Sequence, residues 1–231
     1  MSSGKRINSG ADDAAGLQIA DNLRANVYAM NQSIRNANDG IGVAQIADGA
    51  LQEITNLLTR AVTLAEEAAT ETVDANGKAS LQAEFSQIQA EIARIAAQAN
   101  FNGQHLFTSG SGIDGSLSVF VGDMTSNSFI EVAIASIGVS GETVTDLGGV
   151  DLSGVDLEND PVAALPTIQS ALRAVAVMRG TIGAGMNRLQ SAVAVLQTQV
   201  QNTQSAESTI RDANMAEEMS NLTRQQILAE S

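Results

Sequence analysis

The sequence predicts a mainly α-helical protein: an elongated antiparallel bundle of two N-side helices and one long C-side helix, with a small β-hairpin region. Apolar residues recur at alternating spacings of three and four over long stretches of both halves, which is typical of helices packed lengthwise. Apolar residues make up 44% of the chain but aromatic residues only 3%. Small aliphatic side chains therefore dominate, and they suit long helices that lie close together.

The first helix is predicted within 11–71, where apolar residues recur at helical spacing. Ser9 followed by Asp12 and Asp13 provides a helix start, with carboxylates at the positive end of the helix dipole. Three glycines between 40 and 49 weaken the middle of this stretch, so we allow for a bend or break there.

A second helix is predicted from Leu81 to Ala99, because the same 4-3 spacing returns. Turn-like sequences bound it, Asp74–Gly77 before and Asn100–Gly103 after. The first imitates the start of a calcium-binding loop but lacks the later ligands, so we interpret it as a turn.

The middle of the chain changes character completely. Ser116–Val121 and Phe129–Ile134 are β-branched, roughly alternating runs joined by Gly122–Ser128, and they predict a hairpin. The tandem Gly149–Ser153 and Gly154–Glu158 follows. Two copies are too few for a repeat architecture, so we interpret this part as a surface loop with room for one short strand.

The longest heptad pattern lies on the C-side. Ten positions between 168 and 200 step alternately by four and three, and Arg179 is the only charged residue among them. Asp160 followed by Pro161 resembles an N-cap with proline at the first helical position, although Pro166 could equally mark the start. This helix must return antiparallel to the first.

Charge and composition exclude several function classes. A formal net charge of −14 argues against binding to nucleic acid or to anionic lipid. No run approaches the roughly 18–20 apolar residues of a membrane span, and no signal peptide opens the chain. The lack of cysteine excludes disulfides and cysteine nucleophiles, and His105 is the only histidine. We expect no nucleic-acid and no membrane partner.

The search for catalytic groups finds no candidate. Neighbouring residues on a helix point about 100° apart, so neither Glu66-Glu67 nor Glu217-Glu218 is a ready general acid–base pair. Gly183–Gly185 lacks the preceding strand and third glycine of a dinucleotide-binding motif. We therefore predict a non-enzymatic protein with no catalytic residue, no cofactor and no metal.

The ends of the chain carry its most specific motifs. Both have helix-forming sequence without the capping or breaking residues that normally finish a helix. Together with two internal segments, these motifs resemble bacterial flagellin. The matching segments are Ser3–Asn8, Asp12–Gly16, Asn36–Gly40, Gly49–Ile54, Phe101–Gly103, Ala206–Asp212, Met215–Met219 and Gln225–Leu228.

This resemblance implies an exported structural subunit of the extracellular flagellar filament, which assembles with other flagellin subunits and uses the flagellar export machinery and its chaperone. It implies three parts: N-side helices over 1–107, a hairpin and shortened variable region over 108–160, and the C-side helix over 161–231. Flagellins also carry terminal coiled-coil segments, which are absent here, so we expect a truncated or processed form. The alternative is the flagellar hook–filament junction protein.

The resemblance also implies a contact site. Flagellins are ligands of Toll-like receptor 5 through a patch on the inner domain, and the matching segment here is Leu58–Ala65. It retains the family's arginine and leucine as Arg60 and Leu64, and Glu84 matches a further contact. Val62 and Thr63 replace the family's second arginine and its glutamate. The same surface makes subunit contacts in the family, so these three residues are candidates for either partner.

Overall fold

A computed structural model describes residues 5–107, 113, 115–122 and 128–230. The predicted mainly α fold is confirmed by the described residues, which form four helices and three antiparallel strand pairs. The helices are α1 (Ala14–Ala68), α2 (Ala75–Gln98), α3 (Pro161–Arg211) and α4 (Met215–Glu230). The strand pairs are β1 (Asn100–Phe101) with β2 (Gln104–His105), β3 (Ser116–Phe120) with β4 (Phe129–Ala133), and β5 (Ile137–Ser140) with β6 (Thr143–Leu147).

The contacts within the chain divide it into two compact units. The first comprises Met1–Arg35, Val121–Ser128 and Ala192–Ser231, and the second comprises Asn36–Phe120 and Phe129–Ser191. The three-part division at 107 and 160 that the sequence suggests stays a prediction.

Aspartates cap the first three helices. Asp13, Asp74 and Asp160 each accept a hydrogen bond from the backbone N–H three residues later, at 2.9, 2.8 and 3.1 Å. Of the two starts that the sequence left open for α3, the structure has Pro161, and Pro166 lies inside the helix. The predicted turn beginning at Asp74 is instead the N-terminus of α2, which starts six residues before Leu81.

Helix α1 is continuous through 40–49, so the break allowed there is absent. Gly40 is buried against Val119 of β3, and a Cβ at this position would lie 2.6 Å from Val119 Cγ2. This glycine therefore permits a close approach of the hairpin rather than breaking the helix.

The helix-forming interpretation needs correction at the front end, whereas at the back end it is confirmed by the last turns of α3 and by α4. In the described residues, α1 begins only at Ala14, and Lys5 pairs with Asp212 in an antiparallel bridge. Arg6 N–H donates to the carbonyl oxygen of Arg211 at 2.7 Å, just where α3 ends. The backbone before α1 thus runs in a short strand-like pairing, which satisfies polar groups at the end of α3. Ser3 and Gly4 of the matched front motif lie outside the described residues.

The predicted heptad pattern of α3 is confirmed by burial. Every seventh residue from 168 to 196 is buried: Ile168, Val175, Ile182, Leu189 and Leu196. In the second unit, α1 buries Leu51, Ile54 and Leu58 completely, and α2 buries Phe85 and Ile92. The core of this unit is thus built mainly from aliphatic side chains, as the composition predicts.

The predicted hairpin is confirmed, with β3 and β4 in register from Ser116↔Ala133 to Phe120↔Phe129. Most of its predicted connection, 123–127, lies outside the described residues. The prediction of a loop after this hairpin is wrong, because β5 and β6 form a further hairpin. Nor is this part only surface, since Leu152 and Leu157 of the tandem segment are fully buried.

Helix α3 contains an 18-residue window that is long and apolar enough, by length and composition alone, to cross a membrane. The sequence prediction concerned uninterrupted apolar runs, whereas this window is apolar only in its mean hydropathy. A third of that window is buried within the protein, and core helices of soluble proteins pass the same test. This feature is therefore weak evidence for a membrane span.

Candidate contact surface on α1 and α2

The structure brings together two of the three predicted contact residues. Arg60 of α1 donates from Nε to Glu84 Oε1 of α2 at 2.8 Å, and Arg60 Nη2 lies 2.8 Å from the same oxygen. The side chains remain 55% and 42% exposed. An exposed ion pair of this kind adds at most about 1 kcal/mol to stability. The stability of the folded chain therefore depends little on this pair.

The helix period explains why this pair faces outward. On α1, Leu58 and Ala61 flank Arg60 in sequence and are both completely buried. On α2, Glu84 precedes the buried Phe85. Because successive residues turn by about 100°, burial of these neighbours directs Arg60 and Glu84 toward the rim of the interface between the helices.

Leu64, the third predicted contact, does not share this surface. Its exposed fraction is 0%, so it belongs to the core beneath α1. The expectation that Leu64 contacts a receptor or another subunit needs correction, because a fully buried side chain offers nothing to a partner. An isolated leucine in an aligned motif does not reveal on which side of the helix it lies.

The two replaced positions differ in their surroundings. Val62 is half-buried, whereas Thr63 is exposed. The Thr63 hydroxyl donates to the carbonyl oxygen of Arg60 at 2.7 Å. Neither residue supplies the charge that the family pattern has there, so Arg60 and Glu84 are the only charged members of the predicted site.

A second ion pair lies in the second unit, and the sequence indicated only one of its two partners. Arg179, the single charge in the α3 heptad pattern, donates from Nε to Asp48 Oδ1 of α1 at 2.8 Å. This hydrogen bond raises the pKa of Arg179 above its ordinary value. Both side chains are about one third exposed. A charge in a packed seam predicts a counterion, but nothing in the sequence identified Asp48.

The remaining groups considered for chemistry do not form a site. Glu66 and Glu67 are exposed on α1, and Gly185 lies within α3, where a Cβ would be 2.7 Å from Val132 Cγ1. Across the ranges that the structure describes, no three histidine, aspartate or glutamate side chains are grouped so that they could hold a metal ion.

Two family models match the chain. The bacterial flagellin N-terminal helical region matches residues 1–111, and the bacterial flagellin C-terminal helical region matches residues 165–231. These two ranges contain nearly all of the four helices and the proposed contact surface. Residues 112–164, which include β3 to β6, lie outside both matches.

Curated relatives are similar along the whole chain. A flagellar filament 31.3 kDa core protein from Treponema maltophilum is 33% identical, over 100% of this chain and 83% of its own length. A flagellin from Halalkalibacterium halodurans is 36% identical, over 99% of this chain and 81% of its own length.

Two solved structures share the fold. The crystal structure of Bacillus cereus flagellin matches with a TM-score of 0.59 and 24% identity, covering 75% of this chain and 94% of that one. A putative flagellar hook-associated protein from Vibrio parahaemolyticus matches with a TM-score of 0.58 and 11% identity, covering 87% and 97%. At these identities the likeness concerns the fold alone.

Proposed function

The chain belongs to the bacterial flagellin family and is a structural subunit of the extracellular flagellar filament, and on this premise we propose that Arg60 and Glu84 mark a surface through which it contacts other subunits. The observation that carries the proposal is the exposed ion pair joining α1 and α2. Charged groups at an interface give specificity for a partner whose charges complement them.

The test compares Arg60→Ala with a matched control, Arg94→Ala. Arg94 also pairs with a glutamate, Glu91, and the two side chains are 52% and 41% exposed. Loss of either pair changes the stability of the monomer little. Sedimentation velocity on the chain at increasing concentration is expected to show weaker self-association for Arg60→Ala alone. Equal self-association of the two variants would contradict the proposed contact.

We also propose that the chain uses the flagellar export machinery and its chaperone, and that it carries out no enzymatic step. Family membership supports both, since relatives are described as flagellins and filament core proteins. The alternative, a hook–filament junction protein, has support from the fold similarity to a hook-associated protein. Location along the flagellum separates these two assignments.

A second candidate partner of the same surface is Toll-like receptor 5. What supports it is that Arg60 and Glu84 are both exposed and adjacent, where the family resemblance places receptor contacts. The proposal requires that this pair retains recognition although Val62 and Thr63 replace two charged residues of the family pattern.

A reporter assay in receptor-expressing cells tests this second proposal. Arg60→Ala is expected to raise the concentration that gives a half-maximal response, and Arg94→Ala to leave it unchanged. Thr63→Glu restores the family's glutamate at an exposed position and is expected to strengthen the response. An unchanged response to Arg60→Ala would remove this surface from receptor recognition.

A further inference from the structure

One outer face of α1 combines an exposed aliphatic side chain with two glycines. Gly42, Ile46 and Gly49 are spaced by four and three residues, so they lie on the same side of the helix. Ile46 is 42% exposed. A Cβ at Gly42 or Gly49 would meet no atom within 4 Å. The face is therefore open to a closely approaching partner.

An outer face of α3 has a similar composition within the same unit. Val177, Gly180 and Ala184 lie on one side of the helix and are all exposed. Val177 is 66% exposed, and a Cβ at Gly180 would also meet nothing within 4 Å. Arg179, which pairs with Asp48 of α1, points away from this face by the helix period.

The glycines on these faces have no packing role within the folded unit. Gly40 and Gly185 do, because a Cβ there would lie 2.6 Å from Val119 and 2.7 Å from Val132. A glycine inside a helix is less favourable than alanine. A contact outside the chain would offset this loss at the open glycines.

The charges around the two faces have opposite signs. Asp39 and Glu53 flank the α1 face, and Arg173 and Arg188 flank the α3 face. Fourteen or fifteen residues separate the members of each set, which is about 21–23 Å along a helix. Within the described ranges, these four residues form no salt bridge; Glu53 accepts from Asn56 and Arg173 donates to Ser170.

We propose that the α1 face of one copy packs antiparallel against the α3 face of a second copy. A single register places Ile46 opposite Gly180 and Gly49 opposite Val177, so that large residues face small ones. The same register brings Glu53 to Arg173 and Asp39 next to Arg188. Charge complementarity thus selects a second copy of this chain as the partner.

The antiparallel direction follows from the unit itself. Gly40 of α1 lies near Leu189 of α3, and Asp48 of α1 pairs with Arg179, so the two helices run in opposite directions there. Copies of equal polarity therefore bring α3 of one antiparallel to α1 of the next. Two different faces meet in this contact, and such a heterologous contact extends into an open filament when the rotation between copies does not close a ring. The inference extends the proposed function, in which copies of the chain contact each other.

Cysteine crosslinking tests the register, because the chain contains no cysteine of its own. Gly49→Cys in one preparation is mixed with Val177→Cys in another at high concentration and oxidised. The control mixture replaces Val177→Cys by Ala176→Cys, which is exposed but turned by about 100°. We expect roughly tenfold more mixed dimer from the first mixture, because disulfides form only between close Cα atoms. Equal yields would overturn the proposal.

A charge exchange tests the pairing independently. Glu53→Arg is expected to lower the yield of the crosslink between the Gly49→Cys and Val177→Cys preparations severalfold when both carry it. Adding Arg173→Glu to both is expected to restore the yield, and failure to restore it would overturn the assigned register. Arg60→Ala serves as the separate control for the Arg60–Glu84 surface. If it leaves self-association unchanged while the crosslink forms, that surface fails and the helix-face contact stands.

Discussion

At the scale of single residues, hydrogen bonds to carboxylates organise the backbone ahead of α1. Asp12 accepts from the backbone N–H groups of Asn8 and Ser9, at 3.1 and 2.9 Å, and from the Ser9 hydroxyl at 3.1 Å. These bonds favour the charged carboxylate and lower the pKa of Asp12, with the Ser9 backbone bond contributing most. The stability it contributes is fully present above its ordinary pKa of 3.8 and is lost as the pH falls through the lower folded value.

We predict that the carboxyl of Asp12 titrates below 3.8 in the folded chain. Ser9→Ala removes the hydroxyl donor and is expected to move the pKa of Asp12 back toward the ordinary value. Carbon-detected NMR titration of the side-chain carboxyl measures both. A midpoint at or above the ordinary value in the unmodified protein would contradict this hydrogen-bonding arrangement.

The Asp48–Arg179 pair gives a second prediction at this scale. Removal of either partner leaves a partly buried charge without its counterion, so we expect Asp48→Ala and Arg179→Ala each to lower the free energy of unfolding by about 1 kcal/mol. The double variant is expected to lose less than the sum. Urea unfolding followed by circular dichroism measures the cycle, and strict additivity would show that the pair does not stabilise the fold.

These residues also show what a sequence reveals. The start of α3 was predictable to within a few residues, as Pro161 or Pro166, because Asp160 and Pro161 act locally, within one turn of the helix. Asp48 was not, because its partner lies 131 residues further along the chain. The burial of Leu64 was missed for a related reason: a motif match gives residue identity, whereas burial depends on which side of α1 meets the rest of the core.

At the scale of elements, glycines that look alike in the sequence have opposite roles. Gly40→Ala would force Val119 Cγ2 away from a 2.6 Å contact, and overpacking of this kind costs about 1–3 kcal/mol. Gly42→Ala meets nothing within 4 Å and is expected to stabilise α1 by about 0.5–1 kcal/mol. Thermal unfolding of the two variants measures the difference. A higher melting temperature for Gly40→Ala would contradict the close packing of β3 on α1.

The tandem segment after β6 is held to α2 by two glutamines, seven residues apart. The buried Gln89 donates from Nε2 to the carbonyl oxygen of Leu152 at 2.6 Å. Gln82 Oε1 accepts from the N–H of Leu157 at 2.8 Å. The two copies of the sequence therefore present equivalent leucines to the same helix.

We predict that Gln82→Ala speeds hydrogen exchange at the Leu157 amide, because that amide loses its acceptor. Exchange at the Val144 amide in β6 is expected to stay unchanged, which makes it the internal control. Exchange followed by NMR reads both sites. Unchanged protection of Leu157 would show that the glutamine does not hold this segment.

Elements with a strong period were predictable, whereas those specified by distant contacts were not. Seven-residue spacing identified α3 because one apolar stripe runs along it. The pairing of β5 with β6 was missed because Gly138 and Gly141 weaken the alternation that identifies a strand. Gly141 adopts a φ of 65°, which the connection between the two strands requires. Glycine here marks a hairpin turn rather than an unstructured loop.

At the scale of the whole molecule, the chain is a filament subunit, and we propose that its exposed α1 and α3 faces pack against other copies. Its long helices match the flagellin family models, and a curated relative is similar over 100% of this chain and 83% of its own length. The net charge of −14 would separate copies at low ionic strength. We therefore predict that added salt first strengthens self-association, because it screens the repulsion between copies. At higher salt it weakens self-association, because it also screens the opposite charges of the contact. Sedimentation at increasing salt measures this, and a steady decrease from the lowest salt would contradict it.

The central claim is that the chain forms the filament itself rather than the junction at its base. Immunogold electron microscopy on flagella of the source bacterium, with antibodies raised against the folded chain, tests it most directly. The account predicts gold along the whole length of the filament. Labelling confined to the junction between hook and filament would contradict it.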